Sequence, residues 1–93
     1  MTIQQHEAET KGAFFVEKAD RRLAEMTYSK AGASLIIIDH TDVSDELRGQ
    51  GTGKQLVEAA VLYARKNKIK ILPLCPFARS VFDKTPEWSD VLS

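Results

Sequence analysis

Ser34-Leu35-Ile36-Ile37-Ile38-Asp39-His40-Thr41, followed after a short link by Arg48-Gly49-Gln50-Gly51-Thr52-Gly53, is the stretch on which the fold turns. Four consecutive apolar residues, three of them β-branched, predict a strand covered on both faces, placed at the middle of a sheet. Val43 to Leu47 leads into the glycine-rich turn, and a helix is expected to start near Gly51 to Gly53. Leu56, Val57, Ala60, Val61 and Ala64 then recur at helical spacing, with Lys54, Glu58, Arg65 and Lys66 largely opposite, so one face packs on the sheet. Asn67-Lys68 ends the helix and Ile69 to Leu74 reads as a second buried strand. Strands joined by a crossover helix of this length are parallel and right-handed.

Upstream, residues 1–11 lack apolar periodicity and are expected to form a loose polar lead-in. Gly12 to Lys18 reads as a strand, Ala19-Asp20-Arg21 as its turn, and Leu23 to Ser29 as the hairpin partner. Downstream, Pro76 suits the first turn of a short helix running to about Lys84 and stopped by Thr85-Pro86. The expectation is a single α/β (α+β) domain over residues 12–93. It has a mixed sheet of four to five strands, a central amphipathic helix and a short C-terminal helix.

Composition narrows the function classes. The chain has 93 residues, 43% apolar and 28% charged, an ordinary globular profile for one domain. Thirteen basic residues balance thirteen acidic ones, which removes any general attraction to nucleic acid or an anionic membrane. No apolar run approaches the ~20 residues that span a bilayer, and the N-terminus has no signal-peptide core, so a cytoplasmic protein is expected. One cysteine and two separated histidines leave no basis for an internal disulfide or a metal site. A domain this small has a thin stability margin, consistent with a monomer or weak dimer that gains from ligand binding.

The glycines at 49, 51 and 53 exceed what helix capping needs. Alternating glycines allow positive backbone dihedrals and let several amides converge on one anion, and a helix N-terminus adds unpaired amides. Arg48 and Lys54 stand beside this turn, so a phosphate or pyrophosphate fits it. A P-loop is excluded because Arg48 stands where its first glycine belongs and Gln55 where Ser or Thr follows the lysine. A dinucleotide fingerprint is excluded because Lys54 occupies its third glycine position.

The pattern that fits is Arg-x-x-Gly-x-Gly, carried by Arg48, Gly51 and Gly53, with Val43 five residues before the arginine. Here the sequence resembles the GNAT superfamily of N-acetyltransferases. Ile38-Asp39-His40-Thr41, Leu74-Cys75-Pro76-Phe77 and Pro86-Glu87-Trp88 extend the likeness, over roughly residues 12–92, to the short Yjdj-type GNAT domain. The resemblance implies acetyl-CoA as co-substrate. It makes Val43 the pantetheine contact, and Arg48, Gly49, Gln50, Gly51, Thr52, Gly53 and Lys54 the pyrophosphate cradle. The chain enters its first hairpin without the helical segment that helps wall the acceptor site in full-length members of the superfamily. An open site suits a large or protein-borne amine, or no acceptor at all.

Acetyl transfer needs a deprotonated amine, a polarised thioester carbonyl and a stabilised leaving thiolate. If the resemblance holds, Cys75 lies near the thioester, as acetyl-accepting nucleophile or proton donor to the thiolate; the plain alternative is a buried structural cysteine. His40, at a strand end, is a candidate general base or orienting group for Cys75, against a purely structural histidine. Phe77 is a candidate wall of the pantetheine channel, whereas Phe82 and Trp88 read as packing residues. Two function classes follow: an N-acetyltransferase acting on an unidentified amine, or a non-catalytic acetyl-CoA-binding or protein-interaction module.

Overall fold

The computed structural model describes all residues 1–93. Five strands form one sheet in sequence order: β1 (Gln4–Glu7), β2 (Lys11–Lys18), β3 (Arg21–Lys30), β4 (Leu35–Val43) and β5 (Lys70–Pro73). The first four pair antiparallel, and β4 pairs parallel with β5 through the crossover helix α1 (Thr52–Asn67). A second helix, α2 (Pro76–Lys84), and a 3-10 segment, Pro86–Val91, complete the chain. The mixed sheet with its helices is therefore the α/β arrangement expected. No helix is long and apolar enough to cross a membrane.

Both helices share one core. Leu56, Val57, Ala60, Val61 and Ala64 of α1 are fully buried with Ala78, Val81 and Phe82 of α2 against Phe14, Met26, Tyr28, Ile36 and Ile38 of the sheet. Burying each large aliphatic side chain there stabilises the fold by about 1.5–3 kcal/mol. Trp88 joins this core edge-on to Phe82, ring centroids 6.5 Å apart. The opposite sheet face carries no helix. Its Phe15 is shielded instead by the Arg22 guanidinium, 3.9 Å above the ring.

Three sequence expectations need correction. Residues 1–11 are not a loose lead-in, because Gln4–Glu7 pairs with Gly12–Phe15 as an edge strand. Its side chains are polar because that edge faces solvent, so no apolar pattern announces it. Second, β4 lies beside the parallel edge strand, and β3 occupies the centre. Third, β4 is not covered on both faces: Ile36 and Ile38 are buried under the helices, while Leu35 and Ile37 are half-exposed on the open side. The strand buried at four consecutive positions is β2, from Ala13 to Val16.

Candidate functional site

β4 and β5 stay together only from Leu35 opposite Lys70 to Ile38 opposite Pro73. The amides of Leu74 and Cys75 then both donate to the Ile38 carbonyl, at 3.1 and 3.2 Å, which ends β5. At the same level β4 carries a bulge against β3: Tyr28 faces Ile38 and Thr27 faces His40, leaving Asp39 without a partner. A bulge bends its strand and raises the local twist. Beyond it, Asp39–Val43 keeps β3 on one side and has no strand on the other. A cleft of about 660 Å³ opens there, between the end of β4, the glycine turn and α2.

The turn is shaped for an anion. A short 3-10 turn, Asp45–Leu47, is capped by Ser44, whose Oγ accepts from the Glu46 amide at 3.3 Å. Gly49 and Gly51 then take φ of 82° and 71°, a region that disfavours residues with a Cβ. The first backbone bond of α1 runs from the Gln55 amide to the Gly51 carbonyl at 3.1 Å. The amides of Gly49, Gly51, Thr52, Gly53 and Lys54 thus have no acceptor within the chain. They are clustered at the positive end of the helix dipole. Gly53 is needed for a different reason: a Cβ there would collide with the Phe77 ring, which lies over the start of α1.

Eight of the residues expected to hold a cofactor line this cleft: Val43, Arg48, Gly49, Gly51, Thr52, Gly53, Lys54 and Phe77. Gln50 does not line it; its side-chain amide donates to the Glu46 carbonyl at 3.4 Å. Arg48 stands at the rim, paired with Asp45 at 2.6 Å and largely exposed. Sequence reasoning missed five lining residues: Thr41, Leu47, Ser80, Val81 and Lys84. A signal existed: Phe77, Ser80, Val81 and Lys84 are spaced as one face of α2. With Lys54 and Arg48, Lys84 brings to three the cationic side chains around the cleft.

Cys75 occupies the position just before α2, makes no side-chain capping bond to it, and is 6% exposed. Its thiol donates to Thr41 Oγ1 at 3.4 Å. Burial pushes the thiol pKa up, but the Thr41 hydroxyl and the Ala78 and Phe77 amides outweigh it, and the net shift is downward. Thr41 lines the cleft; Cys75 lies behind it. The structure does not bring His40 and Cys75 together. Thr41 pairs with core-facing Met26, whereas His40 pairs with Thr27 on the open face, so the two side chains leave β4 on opposite sides. No group of three or more His, Cys, Asp or Glu side chains is arranged to hold a metal ion.

A cleft between splayed parallel strands, floored by a glycine turn at a helix N-terminus, is the site of an acyltransferase-type fold. The family model for the GCN5-related N-acetyl-transferase matches residues 13–91, and the chain belongs to this family. Among solved structures, it is similar to a GCN5-like candidate N-acetyltransferase from Staphylococcus aureus. The two are 40% identical, with 97% of this chain and 87% of that one covered, at a TM-score of 0.72. The fold also matches a ribosomal-protein-alanine N-acetyltransferase from Brucella melitensis biovar Abortus 2308, at 16% identity and a TM-score of 0.69 over 84% of this chain and 62% of that one. A GNAT family acetyltransferase from Elizabethkingia anophelis with acetyl-CoA bound matches at 14% identity and a TM-score of 0.62, covering 77% and 63%. The chain thus spans about three fifths of the latter two. No curated protein sequence matches it.

Proposed function

We propose that this protein binds acetyl-CoA in the cleft and transfers its acetyl group to an amine. The observation that carries the reading is the separation of β4 from β5 beside five unpaired amides. The splay leaves the outer edge of β4 free to pair with an extended amide-bearing arm, and the amides suit a pyrophosphate. In this reading the β4 edge at Val43 holds the pantetheine arm, and the turn from Arg48 to Lys54 cradles the pyrophosphate. Phe77 walls the channel, and Lys54 and Lys84 offset the remaining negative charge of the co-substrate.

Cys75 and His40 are assigned separate tasks because they serve separate faces. The amine approaches from the helix-free face, where His40 is exposed and placed to take its proton. Cys75 remains on the cofactor side. The test is a titration of isotope-labelled protein with acetyl-CoA, followed by backbone amide resonances. Large shifts at Val43, Arg48 to Lys54 and the start of α2 support the reading, and no shift at millimolar ligand sinks it. Consumption of bound acetyl-CoA on adding amines then distinguishes transfer from binding alone.

One observation favours the second reading, a non-catalytic acetyl-CoA-binding or interaction module. No side-chain hydrogen bond joins His40 to Cys75 or to any other residue, so no acid–base pair is pre-assembled. Binding without consumption across a panel of amines would establish that reading.

A further inference from the structure

Cys75 can serve acetyl transfer in two ways, and its surroundings choose between them. A nucleophilic thiolate must reach the thioester carbon, yet Cys75 is 6% exposed and does not line the cleft. The residue between them is Thr41, which lines the cleft and accepts the thiol proton at Oγ1, 3.4 Å away. Thr41 Oγ1 donates to no group of the protein, so its own proton is free to point into the cleft. Its place is fixed: it follows the bulge at Asp39 and faces fully buried Met26 across the strand pair.

We propose that Thr41 is a proton relay, through which buried Cys75 protonates the departing CoA thiolate without ever being acetylated. The inference rests on acetyl-CoA occupying the cleft as substrate. When the amine nitrogen has bonded to the acetyl carbon, the carbon–sulfur bond breaks and its electron pair goes to the CoA sulfur. Thr41 Oγ1 gives that sulfur its proton and takes the Cys75 thiol proton in exchange. The products are the acetylated amine and neutral CoA thiol. The residual Cys75 thiolate is held by the amides of the first turn of α2 until water reprotonates it. The proton lost by the amine leaves on the other sheet face, so both charges are returned through solvent.

The experiment uses the whole chain, with Thr41→Val to remove the relay at constant volume and Thr41→Ser to restore it. Cysteine labelled with ¹³C at Cβ gives one resonance, from Cys75, whose titration reads the thiol pKa without substrate. Thr41→Val should raise that pKa and Thr41→Ser should return it. With acetyl-CoA and hydroxylamine as surrogate acceptor, CoA release should fall by roughly 100-fold in Thr41→Val, the scale of one lost acid–base contribution. Thr41→Ser should recover most of it, and calorimetry should show acetyl-CoA affinity unchanged in all three proteins. Intact-protein mass spectrometry of wild type mixed with acetyl-CoA alone should show no acetyl adduct. An adduct on Cys75 that hydroxylamine clears, or undiminished CoA release in Thr41→Val, overturns the relay. If Thr41→Val fails to fold, Cys75→Ser replaces it, and full retention of CoA release there overturns the relay equally. Absence of acetyl-CoA binding to wild type defeats the parent reading, a result the calorimetry separates from failure of the relay alone.

Discussion

The two ends of α1 are built on opposite plans. At its N-terminus, Gly51 leaves three helical amides without acceptors, no side chain caps them, and the covering Phe77 ring is 42% exposed. At its C-terminus every device closes inward. Lys68 adopts a left-handed conformation, its amide and that of Ile69 return to the Ala64 carbonyl, and Arg65 and Lys66 sit where the helix dipole favours positive charge. One turn before that end, Tyr63 reaches across to β1, where its hydroxyl and that of Tyr28 both donate to Glu7 at 2.7 Å. One end is left open, with amides that the proposed co-substrate would complete, and the other is closed by the chain itself. Glycine serves both plans: Gly53 makes room for Phe77, and Gly12 lets the Tyr28 ring cross β2 to reach Glu7.

The largest effect should come from supplying what the open end lacks. Acetyl-CoA at about 100 times its Kd should stabilise the fold by about 2.7 kcal/mol, which in a domain of this size raises Tm by on the order of 10–20 °C. Amide hydrogen exchange at Thr52, Gly53 and Lys54 should slow selectively on binding, with little change around Tyr63. Uniform slowing over the whole helix would mean that the N-terminal end is not a separate, ligand-completed unit.

A similar or smaller loss should follow from breaking the closed end. Glu7→Ala leaves the Tyr28 hydroxyl, on a side chain only 1% exposed, without its acceptor. That should cost about 1–3 kcal/mol in urea unfolding, and Glu7→Gln, which keeps an acceptor oxygen, should cost less. Acetyl-CoA affinity should be untouched in both. Equal losses in the two variants would show that the carboxylate charge, through Lys30 at 3.2 Å, matters more than the tyrosine hydroxyls.

The same network sets a weaker pH signature. The hydrogen bonds from Tyr63 and then Tyr28 hold Glu7 below the usual carboxylate range, against the opposing effect of burial. Its contribution is complete above the unfolded carboxylate pKa of about 4.3. It is lost as pH falls through the lower folded value, where the unfolded chain binds the extra proton. At the alkaline limb, burial and then Glu7 push Tyr63 up to about 12. That stabilisation is present below an ordinary tyrosine pKa of about 10 and fades as pH rises through the folded value. Stability–pH curves of wild type and Glu7→Gln should therefore differ on both limbs and run parallel near neutrality.

How much of this was legible in the sequence follows the same division. The open end could be read because its shape is written in residue types: three alternating glycines between a strand and an amphipathic helix predict a turn with converging, unpaired amides. The closed end could not. Glu7 and Gln5 are polar residues on an exposed edge strand, and nothing short of the fold shows that Tyr28 crosses a glycine to find them. β4 misled for a related reason, since an unbroken apolar run fits burial on either face and cannot show that both helices lie on one. The separation of His40 from Cys75 depends on strand register after the bulge, a one-residue matter that no spacing rule captures. The α2 face of Phe77, Ser80, Val81 and Lys84 was readable by periodicity, but only once the cleft gave that face a purpose.

The smallest effect is also the most direct test of the contrast. Lys68 sits at φ 57°, where a side chain is strained, and its backbone closes the helix in the way glycine usually does. Lys68→Gly relieves that strain but gives the unfolded chain more freedom, so the two terms nearly cancel and a net gain of about 0.5 kcal/mol is expected. Gly51→Ala introduces the same strain at the other end and should lose affinity for acetyl-CoA as well as stability, because the displaced turn carries the amides. Denaturant midpoints and calorimetry on the two variants separate the outcomes. If Lys68→Gly alters affinity, strain at the closed end reaches the open one through the helix, and the two ends form one cooperative device. If it moves only the midpoint, the chain has confined its binding site to the part of α1 that it leaves unfinished.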